Sequence, residues 1–243
     1  MSLRRLMRFE DRDSLAYETA VLLLQAMKQR QTANGSVGLC LTGGDLANEV
    51  YDHMALLAPQ SGLVAPDIHL WWNWDYFINI DNPDRNSLQA LSRLAGALPF
   101  DPAKIHPIPS SSLAADPETG AAQYSQELAE APMIDICLLE LGPQGQIAGL
   151  NPPVTDTSYS TLAAAVTGGA NGDRQVVTLT PAGLGRCRQT WVLASGVDVA
   201  DALHSAHDDD PNLPVNHIDD TDSTMWLADA KALSLVPFHR CTL

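Results

Sequence analysis

Short apolar runs that end in glycine and pass directly into a helical pattern dictate most of what this chain can fold into. Val37–Leu41 has the length of a buried strand. Thr42-Gly43-Gly44-Asp45 follows it, and helical spacing starts at once with Leu46, Val50, Tyr51 and Met54. Strand, glycine turn and helix in that order open a βαβ unit, with the turn at the strand's C-terminal end. Ile68–Trp72 is a second such run and leads into a polar loop over residues 73–86. A third covers residues 133–141 and enters Gly142-Pro143-Gln144-Gly145.

Helical patterns separate these runs. One is capped by Asp13, carries Leu15, Ala16, Leu22, Leu23, Ala26 and Met27, and ends near Asn34-Gly35. Another passes through Leu88, Leu91, Leu94 and Ala95, and a third covers residues 116–130 with Pro117 in its first turn. Further strand signals lie at residues 175–180, 189–195 and 224–227, with a helix over residues 197–204. Strands spaced by helices of this length predict an α/β fold, a mostly parallel sheet flanked by helices on both faces. No linker or internal repeat divides the sequence, so residues 1–243 read as a single domain. Ligands in such folds collect beyond the C-terminal strand ends, here the loops at residues 42–46, 73–86 and 142–153.

The formal net charge of -15 excludes nucleic acid, which demands a basic face, and opposes an anionic membrane. Between Gln31 and Asp173 the only cations are Arg85, Arg93 and Lys104. A phosphate held in that stretch must use backbone N–H groups or one of those three. No stretch approaches the roughly 18 apolar residues that span a bilayer, and MSLRRLMRFEDRD has no apolar secretory core. Cys40, Cys137, Cys187 and Cys241 form no CxxC pair, and Cys40 and Cys137 lie in apolar runs. These features predict reduced structural thiols in a cytoplasmic protein. Residues 207–223 carry six aspartates with His207 and His217; they read as a solvated loop, since nothing fixes metal-ligand geometry. No metal and no cofactor is expected.

The three loops carry a family resemblance. Leu41-Thr42-Gly43-Gly44-Asp45-Leu46-Ala47 resembles the strand–SGGSTP–helix turn of 6-phosphogluconolactonases. Trp72 to Ile78, with Pro83-Asp84-Arg85-Asn86, is similar to their WGDERxVP and SN loop. Residues 140–152 resemble their GMGxDGHxASLFPG segment. Thr178-Leu179-Thr180 through Gly196, Ala200, Ala202 and Leu203, and the Trp226-Leu227-Ala228-Asp229 ending, continue the likeness over nearly the whole chain. The resemblance implies the Rossmann-like architecture of the superfamily that also contains glucosamine-6-phosphate deaminase. It further implies hydrolysis of 6-phosphogluconolactone in the pentose phosphate route and a phosphosugar substrate. Ile147-Ala148 and Asn151 resemble the deaminase motif more weakly.

Polar positions of the family depart while its glycines remain. The Asp-Glu-Arg position holds Trp74-Asp75-Tyr76, and the Asp-Gly-His whose histidine the family uses as acid/base is Gln144-Gly145-Gln146. The lysine of the GxxKA turn is Val199, and the arginine before the TLT strand is Val176. The resemblance places catalysis at Asp75 and Gln146, and substrate binding at Thr42, Gly43, Gly44, Asp45, Gly142, Gly145 and Arg174, the last as a substitute cation. Glutamine cannot take a proton near neutral pH. Asp45, if about 4 Å from a phosphate charge, costs roughly 4 kcal/mol at an effective dielectric near 20; it also reads as the cap of its helix.

Asp75 is a base or an Asx-type turn residue, and Glu140 is a functional carboxylate or a cap of the Gly142 turn. His69 and His106 read as framework, and Trp74 makes the pocket more apolar. Three functions follow: a 6-phosphogluconolactonase-like enzyme, a non-catalytic paralogue binding a protein partner or an uncharged ligand, or an enzyme of changed specificity using Asp75 or Glu140.

Overall fold

The computed structural model describes residues 3–153, 161–167, 172–218 and 223–236. Strand β1 (Leu3–Phe9) comes first, followed by α1 (Arg12–Asn34), β2 (Val37–Leu41), α2 (Asp45–Ser61) and β3 (Ile68–Trp72). Next come β4 (Trp74–Tyr76), α3 (Asn86–Leu94), β5 (Ile105–His106), α4 (Pro117–Glu130) and β6 (Ile134–Glu140). The chain closes with β7 (Ala163–Thr167), β8 (Gln175–Leu179), α5 (Pro181–Leu184), β9 (Cys187–Ala194), α6 (Ala200–His207) and β10 (Ser223–Asp229). The cap of α1 is Asp11, not Asp13: its Oδ1 accepts the Ser14 N–H at 2.9 Å. Asp13 falls in the first turn, where a carboxylate faces the positive end of the helix dipole. Asp116 caps α4 through the Thr119 N–H, ahead of Pro117.

Seven strands form one parallel sheet in the order β1-β10-β9-β6-β2-β3-β5. From β2 the sheet grows outward through β3 and β5; the chain then returns and grows the other way from β6 through β9 and β10. Because parallel crossovers are right-handed as a rule, growth in opposite directions from this point sends helices to both faces of the sheet. The reversal falls between β2 and β6, and the loops beyond those two strand ends part to leave a crevice. At the centre, Ile136, Cys137, Leu138 and Leu139 of β6 are fully buried, as a strand covered on both faces requires. Cys40 and Cys137 are register partners on β2 and β6, and they and Cys187 are buried free thiols; Cys241 lies outside the described residues. His69 and His106 are framework: His106 stacks on Trp71 at 3.9 Å and bonds Glu127.

A second sheet differs from the expectation. Residues 175–179 do not extend the parallel sheet but pair antiparallel with β4 and β7 in the order β4-β8-β7. The loop at residues 73–86 therefore begins as a short strand. Packing of α4 on β7 and β8 accounts for the apolar run Val176–Val177 that imitates a central strand.

Buried polar side chains hold these layers at the crevice. Asn73 takes the Leu41 carbonyl on its N–H, accepts the Leu179 N–H on its carbonyl, and donates Nδ2 to the Leu138 carbonyl. It thereby ties β2, β6 and β8 together. The Tyr51 hydroxyl donates to the Thr42 carbonyl at 2.8 Å and accepts the Thr42 N–H at 3.0 Å.

Asp75 organises the loop, the turn role that its sequence position also allowed. It is fully buried. Its Oδ2 accepts from Arg85 Nη2 at 2.8 Å and Ser87 Oγ at 2.7 Å. Its Oδ1 accepts the N–H groups of Asn86 and Tyr76. Arg85 is 2% exposed and also donates to the Ile108 carbonyl at 2.6 Å. With both oxygens occupied and no face on the crevice, this carboxylate fixes the start of α3.

Two outcomes follow for stability. Asp75→Ala leaves Arg85 buried without its counter-charge, and urea unfolding at pH 7 should show a loss of about 3–5 kcal/mol. Tyr51→Phe strands both backbone groups of Thr42 and should cost about 1–3 kcal/mol in the same measurement. An unchanged midpoint for either variant would contradict the corresponding anchoring role.

Candidate active site

The crevice between the ends of β2 and β6 encloses about 330 Å³. Its floor is Gly43 and Gly44. Gly44 adopts φ +134° at the start of α2, and a Cβ there would collide with the Glu140 carboxylate. Asp45 is not the cap expected of it. It is the first helical residue, its side chain is exposed, and it does not line the crevice. Thr42 is buried beneath, spent on Tyr51. Gly43 and Gly44 are thus the members of this turn that meet the cavity.

Glu140 takes over the capping. It stands at the end of β6, and its Oε2 accepts the Ala47 N–H of α2 at 3.0 Å; the Leu46 N–H also bonds this carboxylate. It therefore caps α2, ninety-odd residues earlier in the chain, and not the Gly142 turn. Burial pushes its carboxyl up to about 7, and the Asp45 charge adds to the rise. The Ala47 and Leu46 N–H groups and the Arg12 guanidinium pull the other way.

The Gly142–Gln146 turn forms one wall. The Gly142 N–H donates to the Gln146 carbonyl, and the Gly145 N–H to the Gly142 carbonyl. The Gln146 side chain lies over Gly142, where any Cβ would collide with it, and its Oε1 accepts the Gln144 N–H at 2.8 Å. Gly142 and Gln146 line the crevice, whereas Gly145 packs against Leu213 outside it. Ala148, also in the lining, adopts φ +49°, with its carbonyl held by Thr178 Oγ1.

Trp74 and Tyr76 form the facing aromatic wall, edge to face at 5.2 Å. Arg174 does not enter the crevice as a substitute cation. It pairs with Asp84 at 3.0 Å, half exposed, with its guanidinium 4.8 Å from the far-side Tyr76 ring centre. Val199 lines the crevice beside Asp198, while Val176 is buried in the small sheet.

Among the described residues lining the crevice, the one cation is Arg12, which sequence reasoning missed. It is the first residue of α1, and its Nε bonds both Glu49 oxygens at 2.9 and 3.0 Å. No local signal marks it, because only the packing of α1 on α2 brings it to the cavity. Ser195 also lines the crevice, with its hydroxyl donating to Asp229 at 2.7 Å. Asp229 further accepts the Gly196 and Ala232 N–H groups, which gives the C-terminal Trp-to-Asp strand its structural use.

Comparison with known proteins agrees with this geometry. Residues 10–226 match the family described as glucosamine-6-phosphate isomerases/6-phosphogluconolactonase. The 6-phosphogluconolactonase of Streptomyces coelicolor is 30% identical, over 93% of this chain and 92% of that protein. That of Mycobacterium tuberculosis is 28% identical over 94% and 97%. Among solved structures, 6-phosphogluconolactonase from Trypanosoma brucei superposes with a TM-score of 0.81 at 15% identity, over 98% of this chain and all of that one. A monomeric glucosamine-6-phosphate deaminase gives 0.84 at 18% identity, over 95% and 99%. With the sequence match spanning most of its length, and the crevice lying where β2 and β6 part, the chain belongs to the glucosamine-6-phosphate isomerase/6-phosphogluconolactonase family.

Proposed function

We propose that the protein is a 6-phosphogluconolactonase-like hydrolase of a sugar lactone, with its turnover of 6-phosphogluconolactone itself attenuated. The observation that carries this reading is the lining of the crevice. The glycine turns remain, and Trp74 and Tyr76 add an aromatic wall able to face a sugar ring. The positions that the resemblance assigns to proton transfer and phosphate binding hold Gln146, Tyr76 and Val199.

Opening a lactone requires a base for the attacking water, donors for the oxyanion on the carbonyl, and a proton for the leaving ring oxygen. Gln146 cannot serve as the base, and its oxygen is spent on its own turn. Glu140 is engaged by the α2 N–H groups. Asp198 is the remaining carboxylate of the lining and is exposed to solvent. A positioned general base contributes about 10²–10⁴-fold, so the wild-type rate should fall below that of a histidine-bearing relative by a factor of that order. Arg12 alone, already paired with Glu49, gives a phosphate little charge-assisted hydrogen bonding and should leave KM high for the phosphorylated lactone.

The test is hydrolysis of 6-phosphogluconolactone and of glucono-1,5-lactone, each read against spontaneous opening, for the wild type and Gln146→His. The expected result is weak wild-type turnover, with no preference for the phosphorylated lactone, and a kcat raised about 10-fold or more by Gln146→His. Fast wild-type turnover that Gln146→His leaves unchanged would assign proton transfer to another group and overturn the attenuation. No acceleration by either protein would overturn the hydrolase reading in favour of a non-catalytic member.

A further inference from the structure

We propose that Glu140 is the specificity-determining residue of this crevice: its carboxylate fills the anion cradle at the N-terminus of α2, so that the cavity rejects anionic ligands and admits neutral polyhydroxylated ones. The inference rests on the crevice being the ligand site, as the preceding reading has it. It adds which ligand charge that site accepts.

The first turn of a helix offers unpaired N–H groups and a positive dipole end, which together attract an anion. Here the anion is already present and belongs to the chain. Glu140 reaches across from β6, lies against Gly44 where only the missing side chain leaves room, and takes the Ala47 N–H at 3.0 Å. A phosphate or a carboxylate entering over Gly43 and Gly44 would meet a like charge and find these donors in use. A neutral hydroxylated ligand meets no such opposition and keeps Trp74, Tyr76 and Ser195 as its wall.

The charged and titratable groups around Glu140 come from every neighbouring element. Arg12 of α1 and its partner Glu49 lie on one side, and Asp45 and Tyr51 of α2 beneath. Asp198 lies at the far lip of the crevice. Among the described residues lining the crevice, only Arg12 opposes an incoming anion's repulsion. Burial pushes the Glu140 carboxyl up to about 7, so its charge changes close to neutral pH. Below that pH the protonated form predominates, repels an anion less and holds the α2 N–H groups less strongly; above it the carboxylate predominates and the exclusion strengthens.

Isothermal titration with sulfate tests this, because sulfate keeps its charge across the range. Wild-type protein should bind at least tenfold more tightly at pH 5.5 than at pH 8.5. Glu140→Gly, which removes both charge and bulk, should bind with the tighter constant at both pH values. Glu140→Gln, which keeps the bulk and the fold, should lose the pH dependence. The proposal is overturned if Glu140→Gly binds sulfate no better than wild type at pH 8.5, or if Glu140→Gln retains the pH dependence. Neither readout involves turnover. Failure of the lactone assay with success here would remove the hydrolase reading alone, and the reverse would remove only the role of Glu140.

Discussion

Backbone groups at the C-terminal edge of a buried parallel sheet have no water to turn to, and the side chains that answer them shape the crevice. Asn73 answers for the ends of β2, β6 and β8, Tyr51 for Thr42, Asp75 for the start of α3, and Glu140 for the start of α2. Asn73 and Glu140 lie far in sequence from the backbone they serve, while Tyr51 and Asp75 bridge about ten residues. The crevice is therefore a product of the assembled layers and not of any one loop. A buried polar group left unpaired costs on the order of 1–3 kcal/mol, against a total stability of about 5–15 kcal/mol. Few of these residues can change singly, whatever ligand the crevice holds.

The same economy governs charge. With 14 basic and 29 acidic side chains, cations are scarce, and the structure commits them to the scaffold. Arg85 closes on Asp75, Arg12 on Glu49, Arg93 on Asp52, Lys104 on Asp67 and Arg174 on Asp84. Of these pairs only Arg85–Asp75 is buried; the others are partly solvated and each contributes little to stability. Their effect is on the crevice, which keeps Arg12 as its cation among the described lining residues while Glu140 and Asp198 carry the opposite sign.

Much of the scaffold was legible in the sequence because burial on both faces leaves an unbroken apolar run. β2 and β3 coincide with their apolar runs, and β6 lies within one residue of its run at each end. β1 was not legible: its Arg5, Leu6 and Arg8 are exposed at a sheet edge, so no buried face writes a pattern there. β7 is short and mostly alanine, and β8 imitates a central strand because α4 covers it. At the crevice, the glycines announce themselves by local turns. Arg12 and the capping by Glu140 depend on contacts between distant elements, which no spacing rule records. Asp75 was ambiguous for a related reason: its partner Arg85 is close in sequence, but only the fold closes the loop that joins them.

The three buried thiols extend this layered construction to motion. Cys40 and Cys137 face one another across the β2–β6 boundary, and Cys187 begins the strand on the other side of β6. All three are at 0% exposure, so an alkylating reagent reaches them only when neighbouring strands part. Their labelling rate is then a clock for the opening of the sheet beneath the switch point. A ligand seated above would slow that clock by clamping β2 to β6, which makes the interior chemistry of the scaffold a reporter of occupancy that requires no knowledge of what the occupant is.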